Sequence, residues 1–313
     1  MTTRRNLLKS SLSLAAAPVG MSVAIEVAHA EDMPKWNNET DVLVLGYGNA
    51  GSNAAIAAAD AGAKVLILEK TPAGGGNVSV SSGGFVVPTN KEDYYKFQKA
   101  LYELSRSEWD KDLLDLFCEE SLHLGDYVSS LAPEGKIGVY GHQNLPGADC
   151  VNKMSMRNVP GAKGGDRLFG IFDRAVKARN IPVLVNCPAR RLVRRGNEVL
   201  GVEAVYEGNP YFVKANKAVV ICTGGFQSNP ELMARYIYGN PMAYLGSPAH
   251  TGDGLLMAQS MGCDLWHMNS VSAPLGVRVP GVKAGIAMVT RQPAFIWVDQ
   301  DGKRFVNEKK LDY

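Results

Sequence analysis

Residues 41–70 read DVLVLGYGNAGSNAAIAAADAGAKVLILEK, an order that leaves little freedom in how the surrounding chain is built. Val42, Leu43, Val44 and Leu45 form an apolar run of the kind that becomes a parallel strand buried on both faces. Gly46-Tyr47-Gly48-Asn49-Ala50-Gly51 follows and fits G-x-G-x-x-G. The Ala-rich segment over 52–61 predicts a helix, with Gly62 as its C-cap. A second buried strand over 64–68 then sets Glu69 at its carboxyl end. The spacing from Gly46 to Glu69 is close to the roughly 20 residues of a dinucleotide fingerprint.

Each residue type has a mechanical reason. Gly46 permits the tight turn out of the strand, Gly48 lets backbone approach a pyrophosphate, and Gly51 lets the helix pack against the strand. The helix N-terminus offers unpaired N–H groups and a partial positive charge to phosphates. Glu69 accepts hydrogen bonds from ribose hydroxyls and repels a 2′-phosphate. At this point NAD and FAD both remain open.

With 313 residues, 46% of them hydrophobic, the chain can bury one large domain plus additions. Its formal net charge is +2, and Arg4, Arg5 and Lys9 against Glu26 put that excess in the first 30 residues. The remainder is near neutrality, so there is no electrostatic case for a nucleic-acid partner. Residues 1–30 read as a twin-arginine signal peptide: Arg4-Arg5, a modestly apolar stretch over 12–27, then Ala28-His29-Ala30 as a cleavage pattern. This predicts an exported, periplasmic location with no stable membrane span after signal removal. Cys118, Cys150, Cys187, Cys222 and Cys263 are scattered without C-x-x-C spacing, and the histidines show no metal-ligand spacing. No metal site is expected, and the cysteines read as mostly buried free thiols.

Behind Glu69 comes a Gly- and Ser-rich loop over 74–84 that can wrap backbone amides around a ligand. The pattern predicts helical structure over 91–130, with Leu113, Leu116, Phe117, Leu124 and Val128 on the core face. An irregular excursion over 135–160 is expected next. A helix over 167–178 follows, with Leu168, Ile171, Phe172 and Ala175 at core spacing, then a short strand over 181–185. A hairpin over 190–205 turns at Gly196-Asn197, and a last buried strand over 217–222 leads into Thr223-Gly224-Gly225.

These stretches together resemble the fumarate reductase/succinate dehydrogenase flavoprotein family, most of all its soluble exported members, the flavocytochrome c fumarate reductases and urocanate reductases. The resemblance runs through GYGNAG with Glu69-Lys70, GGGNVSVSSGG at 74–84, GGDRLFGIFDRAVK at 164–177, AVVICTGGFQSNPEL at 218–232, HTGDGLLMAQSMGCDL at 250–265 and DGKRFVNE at 301–308. It implies an α/β fold: a Rossmann-like FAD-binding domain over 31–270 with a parallel sheet and a β-hairpin insertion. The start of an α+β capping domain over 271–313 would follow.

The cofactor the resemblance implies is FAD. Gly46, Gly48, Ala50 and Gly51 would hold its pyrophosphate, and Glu69, with Lys70 beside it, the adenosine ribose. Asn77, Val78, Gly83 and Gly84 would line the flavin side. Ala189 would offer a backbone contact to adenine, and Thr223 and Gly224 would lie along the diphosphate. Asp253 would face the cofactor, and it also stands where a helix over 255–261 takes its N-cap. Glu308 falls at the family's proton-relay glutamate and is the catalytic candidate.

The implied reaction is hydride transfer between flavin N5 and a carbon–carbon bond of a small organic acid or enone. The partners would be a small-molecule substrate and a separate electron donor or acceptor, a cytochrome or a quinone-linked protein. Ser272-Ala273-Pro274-Leu275 stands where fumarate-type members carry His-Pro-Thr, which speaks against fumarate itself and brings in a ketosteroid-type dehydrogenase as an alternative. Arg291 falls near a family arginine. Measured against the family, the chain stops at Tyr313 before the relay arginine, so a catalytically silent FAD-binding fragment is a further alternative.

Overall fold

The computed structural model describes residues 33–105, 107–142, 149–160, 164–238, 243–269, 276–277, 279–281, 286–287 and 296–305. The chain divides into two compact units, Met1–Pro34 and Lys35–Tyr313, and every element below lies in the second. The expected signal peptide lies outside the described residues.

The first unit of secondary structure is β1 (Asn38–Leu45), α1 (Asn49–Asp60) and β2 (Val65–Leu68). Next come α2 (Gly76–Ser79), β3 (Gly84–Pro88), α3 (Lys91–Leu104), α4 (Lys111–Leu131), β4 (Lys136–His142) and β5 (Val151–Arg157). The chain continues through α5 (Gly165–Ala178), β6 (Val183–Leu184), β7 (Ala189–Arg195), β8 (Glu198–Tyr206) and β9 (Asn209–Ile221). Last are α6 (Pro230–Tyr236), α7 (Asp253–Gln259) and the short antiparallel pair β10 (Gly276–Val277) and β11 (Ile286–Ala287).

The principal sheet has the order β6-β2-β1-β9-β8-β7. Its first four strands are parallel, with Val42 opposite Val65 and Leu43 opposite Val219. The β7–β8 hairpin extends it antiparallel, turning through Gly196 at φ 61° as the sequence predicts. Alternation along β1 decides the two faces. Leu43 and Leu45 join Val202, Val213, Cys187 and Met257 of α7 in one core. Val44 joins Ile56 of α1 and Val176 of α5 in the other. Each of these buried aliphatic side chains contributes about 1.5–3 kcal/mol on transfer from water, which is why the second half of β1, Val42–Leu45, and all of β2 are apolar.

Three expectations are corrected. The last strand does not begin at 217: β9 is 13 residues long, and its first half pairs antiparallel with β8 while it runs parallel to β1. The turn that makes this possible is Glu207-Gly208, both at positive φ. The expected irregular stretch over 135–160 instead contains β4 and β5, which complete a three-stranded antiparallel sheet of order β3-β5-β4. Its Gly- and Lys-rich strands are held by pairing rather than by their own propensity.

The helical region over 91–130 is two helices, capped by Asn90, which accepts from Asp93 N, and by Asp110, which accepts from Asp112 N and Leu113 N. The core face of α4 is turned from the expected one in its first half, while Val128 is buried and Leu124 packs beside it as expected. Leu114 and Cys118 face α3 and β5 with Val128 further along, whereas Leu113, Leu116 and Phe117 are more than half exposed. Apolar residues crowd 113–118, so periodicity offered two faces and the packing partner chose one. Accordingly, Leu114→Ala should lower the unfolding free energy by about 2–4 kcal/mol and Leu113→Ala by less than about 0.5, read by urea denaturation. Equal effects would contradict this orientation of α4.

Candidate dinucleotide-binding cleft

The carboxyl end of β1 turns sharply at Gly46, whose φ is 100°. A Cβ there would stand 2.4 Å from the Cys222 carbonyl oxygen, so a side chain is barred both by the backbone angle and by the neighbouring strand end. Gly48 follows as the N-cap of α1, with extended backbone and no capping side chain, and the first turn of α1 has no acidic residue. Its N–H groups and the positive end of its dipole are therefore left for an anion. Gly51 sits one turn on, where a Cβ would be 1.9 Å from the Gly46 carbonyl oxygen. That contact is what seats the helix close against the turn.

At the end of β2 Glu69 is buried, 8% exposed as a residue. Oε2 accepts from Tyr47 N at 2.8 Å, and Oε1 accepts from Thr71 N at 2.8 Å and Thr71 Oγ1 at 2.6 Å. These bonds fix the carboxylate beside the glycine turn while leaving one lone pair, on Oε2, for a ligand hydroxyl. Lys70 turns the other way, with Nζ 2.7 Å from Thr251 Oγ1 and 2.8 Å from Asp253 Oδ2.

A cleft of about 840 Å³ opens at these strand ends. Of the residues singled out in the sequence, Gly46, Gly48, Ala50, Glu69, Lys70, Asn77, Val78, Ala189, Thr223, Gly224 and Asp253 line it together. Residues as far apart as 46 and 253 meet because β1, β2 and β9 end side by side. Gly51, Gly83 and Gly84 are not on its wall: Gly51 is buried beneath the turn, Gly83 lies against the Gly164 backbone and Gly84 against the Tyr140 ring. Asn77 is partly committed, since its Oδ1 accepts from Ser247 N at 2.8 Å. Glu308 and Arg291, like the 272–275 departure, lie outside the described residues.

Sequence reasoning missed part of the wall. Tyr47, Thr71, Ser247 and His250 line the cleft, and none of the four is among the residues expected to hold the cofactor. For His250, its immediate neighbourhood to Thr251-Gly252-Asp253 was the available signal. Asp253 is not an N-cap. Gly252 holds that position in left-handed conformation, and Asp253 opens α7 with its side chain on Lys70 and Thr251.

Burial pushes the Asp253 carboxyl up, but the Lys70 and Thr251 hydrogen bonds outweigh it and hold it below the usual carboxylate range. A depressed carboxylate adds stability that is complete above its unfolded value, about pH 4, and is lost as pH falls through the folded value. Asp253→Asn should therefore reduce the melting temperature near neutrality and flatten its decline below about pH 4, measured by pH-stepped thermal melts. Parallel wild-type and variant curves would refute the pairing. Burial also pushes the Cys187 thiol up to about 11, which leaves it a protonated, inert part of the wall.

The geometry is that of a dinucleotide-binding α/β protein. The chain belongs to the FAD binding domain family, whose profile matches residues 41–312. It is 31% identical over 296 residues to the fumarate reductase (cytochrome) of Shewanella frigidimarina, covering 87% of this chain and 48% of that protein. It is 28% identical over 287 residues to the urocanate reductase of Eggerthella lenta, covering 86% of this chain and 46% of that one. The solved 3-ketosteroid-delta4-(5alpha)-dehydrogenase of Rhodococcus jostii RHA1 superposes with a TM-score of 0.66 at 25% identity, over 75% of this chain and 56% of that one. The chain spans about half the length of the curated relatives it matches. Among the described residues, no helix is long and apolar enough to cross a membrane.

Proposed function

We propose that this chain is the FAD-holding part of an exported oxidoreductase that acts on a carbon–carbon bond next to a carboxylate or carbonyl. The observation that carries the reading is the meeting of the glycine turn, Glu69, Asn77 and Thr223-Gly224 in one cleft. FAD, when bound, supplies the two-electron chemistry at that bond. Glu69 accepts from a ribose hydroxyl through the one Oε2 lone pair that Tyr47 and Thr71 leave free. The N–H groups of Asn49 and Ala50, at the uncapped end of α1, donate to the pyrophosphate. Ala189 gives its backbone to adenine, while Asn77 and Val78 flank the flavin. Gly83 and Gly84 act by shaping the loop behind them. Glu308 would hold and pass a proton at its carboxyl oxygen.

In this reading residues 1–30 are the export leader, 31–270 hold the cofactor and 271–313 begin a substrate-capping region. Electrons pass to or from a separate partner, a cytochrome or quinone-linked protein. A ketosteroid-type dehydrogenase is the second reading, favoured by Ser272-Ala273-Pro274-Leu275 and by the likeness to the Rhodococcus enzyme.

The test is an acceptor panel of fumarate, urocanate, acrylate and a 3-ketosteroid, offered to the flavin-loaded full-length protein with a reduced dye as donor. Turnover of an unsaturated acid supports the first reading, and turnover of the steroid alone supports the second. No turnover of any acceptor by flavin-loaded protein removes both. Glu308→Gln should abolish most activity with flavin content unchanged. For export, Arg4→Lys with Arg5→Lys should hold the protein in the cytoplasm on cell fractionation, and unchanged export would sink the leader assignment.

A further inference from the structure

We propose that His250 is a cofactor ligand whose imidazole Nε2–H donates to a pyrophosphate oxygen of FAD. The proposal rests on the FAD reading above. His250 Nδ1 lies 2.8 Å from the side-chain Nε2 of Gln227. An amide NH2 group only donates, so Nδ1 accepts and the ring proton sits on Nε2. Gln227 is thus the positioning residue that fixes the tautomer.

The proton-bearing atom faces the right place. A Cβ built on Gly224 would stand 2.7 Å from His250 Nε2. One built on Gly76 would stand 3.5 Å from the same atom and 3.8 Å from Gly48 Cα. Nε2 therefore overlooks the side-chain-free ground shared by Gly224, Gly76 and the Gly48 turn, which is where a pyrophosphate has room. Among the described residues, no protein acceptor meets Nε2.

Charge strengthens the case. A pyrophosphate needs donors, yet among the described residues Lys70 is the only lysine or arginine lining the cleft, and it is engaged by Asp253 and Thr251. Burial holds His250 below the usual histidine value, the Lys70 charge adds to this, and Glu69 opposes it. The ring is neutral near pH 7 and supplies one directed hydrogen bond to an anion. The same bond ties the loop that leads into α7 to the ligand.

The test uses the full chain stripped of flavin and titrated with FAD, with 31P spectra of the bound cofactor. His250→Ala should weaken FAD binding about tenfold, with the melting temperature of the flavin-free chain unchanged and the pyrophosphate resonances moved. His250→Gln, which keeps an N–H donor, should recover most of the loss. Gln227→Leu should cost less than His250→Ala, because it frees the tautomer without removing the ring. If His250→Ala binds FAD as wild type does, or binds weakly with unmoved resonances, the assignment is overturned while the FAD reading stands. A wild-type chain that binds no FAD ends both.

Discussion

Gly51→Ala is expected to cost about 3 kcal/mol of stability and to leave the purified chain without dinucleotide. On helix propensity alone the change should help, since alanine is favoured over glycine in a helix interior by about 1 kcal/mol. The local geometry decides otherwise. The added methyl would stand 1.9 Å from the Gly46 carbonyl oxygen, 3.0 Å from its carbon and 3.3 Å from Val44 Cγ1. Two of these are backbone atoms and cannot turn aside, so α1 must lift away from the turn it caps. The same shift withdraws the Asn49 and Ala50 N–H groups from the phosphate position. Chemical denaturation and retained flavin measure the two losses, and a variant that is stable and fully flavin-loaded would show the close approach to be dispensable.

Glu69→Ala should lower FAD affinity by about 10- to 100-fold, because the one charge-assisted hydrogen bond that its free Oε2 lone pair would accept from ribose, worth about 1.5–3 kcal/mol, is lost. It should also destabilise the flavin-free chain by about 2 kcal/mol, since the Tyr47 and Thr71 N–H groups lose their acceptor. Tyr47 is 4% exposed, so water replaces that acceptor poorly. Glu69→Gln is more informative than it looks. Both carboxylate oxygens already accept from backbone N–H groups, and an amide can present only one oxygen to them. The glutamine variant should therefore fall between alanine and wild type in both measurements. Isothermal titration of the flavin-free chain gives the affinities, and equality of Gln with Glu would contradict the double-acceptor role.

The legible parts of the fold were those where local pattern and tertiary environment agree. β1 and β2 carry their burial in four-residue apolar runs, and Gly51 answers to the Gly46 carbonyl within the same unit. The β7–β8 hairpin was legible through Gly196. By contrast, the first half of β9 was hidden because its turn is Glu207-Gly208 rather than a strong turn pair, and because it opens on the exposed Asn209 and Pro210. β4 and β5 were hidden because their stability comes from partners far along the chain, Gly84 opposite Ser155 being one such pair. In α4 the apolar crowd over 113–118 left the buried face to be chosen by α3 and β5.

In the cleft, residues with a motif were found and residues placed by a fold contact were not. His250 is the clearest example, since its role depends on Gln227 and Gly224, elements brought beside it only by the end of β9. Asp253 lines the cleft, but it opens α7 where Gly252 takes the N-cap expected of it. Its partner Lys70 lies 183 positions away in sequence.

The most direct measurement is a titration of the flavin-free full chain with FAD, followed by quenching of flavin fluorescence, with FMN and NAD as competitors. Saturable one-to-one binding of FAD is expected, with FMN a poor competitor because it lacks the adenosine half that Glu69 would hold, and NAD a poor one because it lacks the flavin that Asn77 and Val78 would flank. Absence of FAD binding, or FMN competing as well as FAD itself, would contradict the FAD reading.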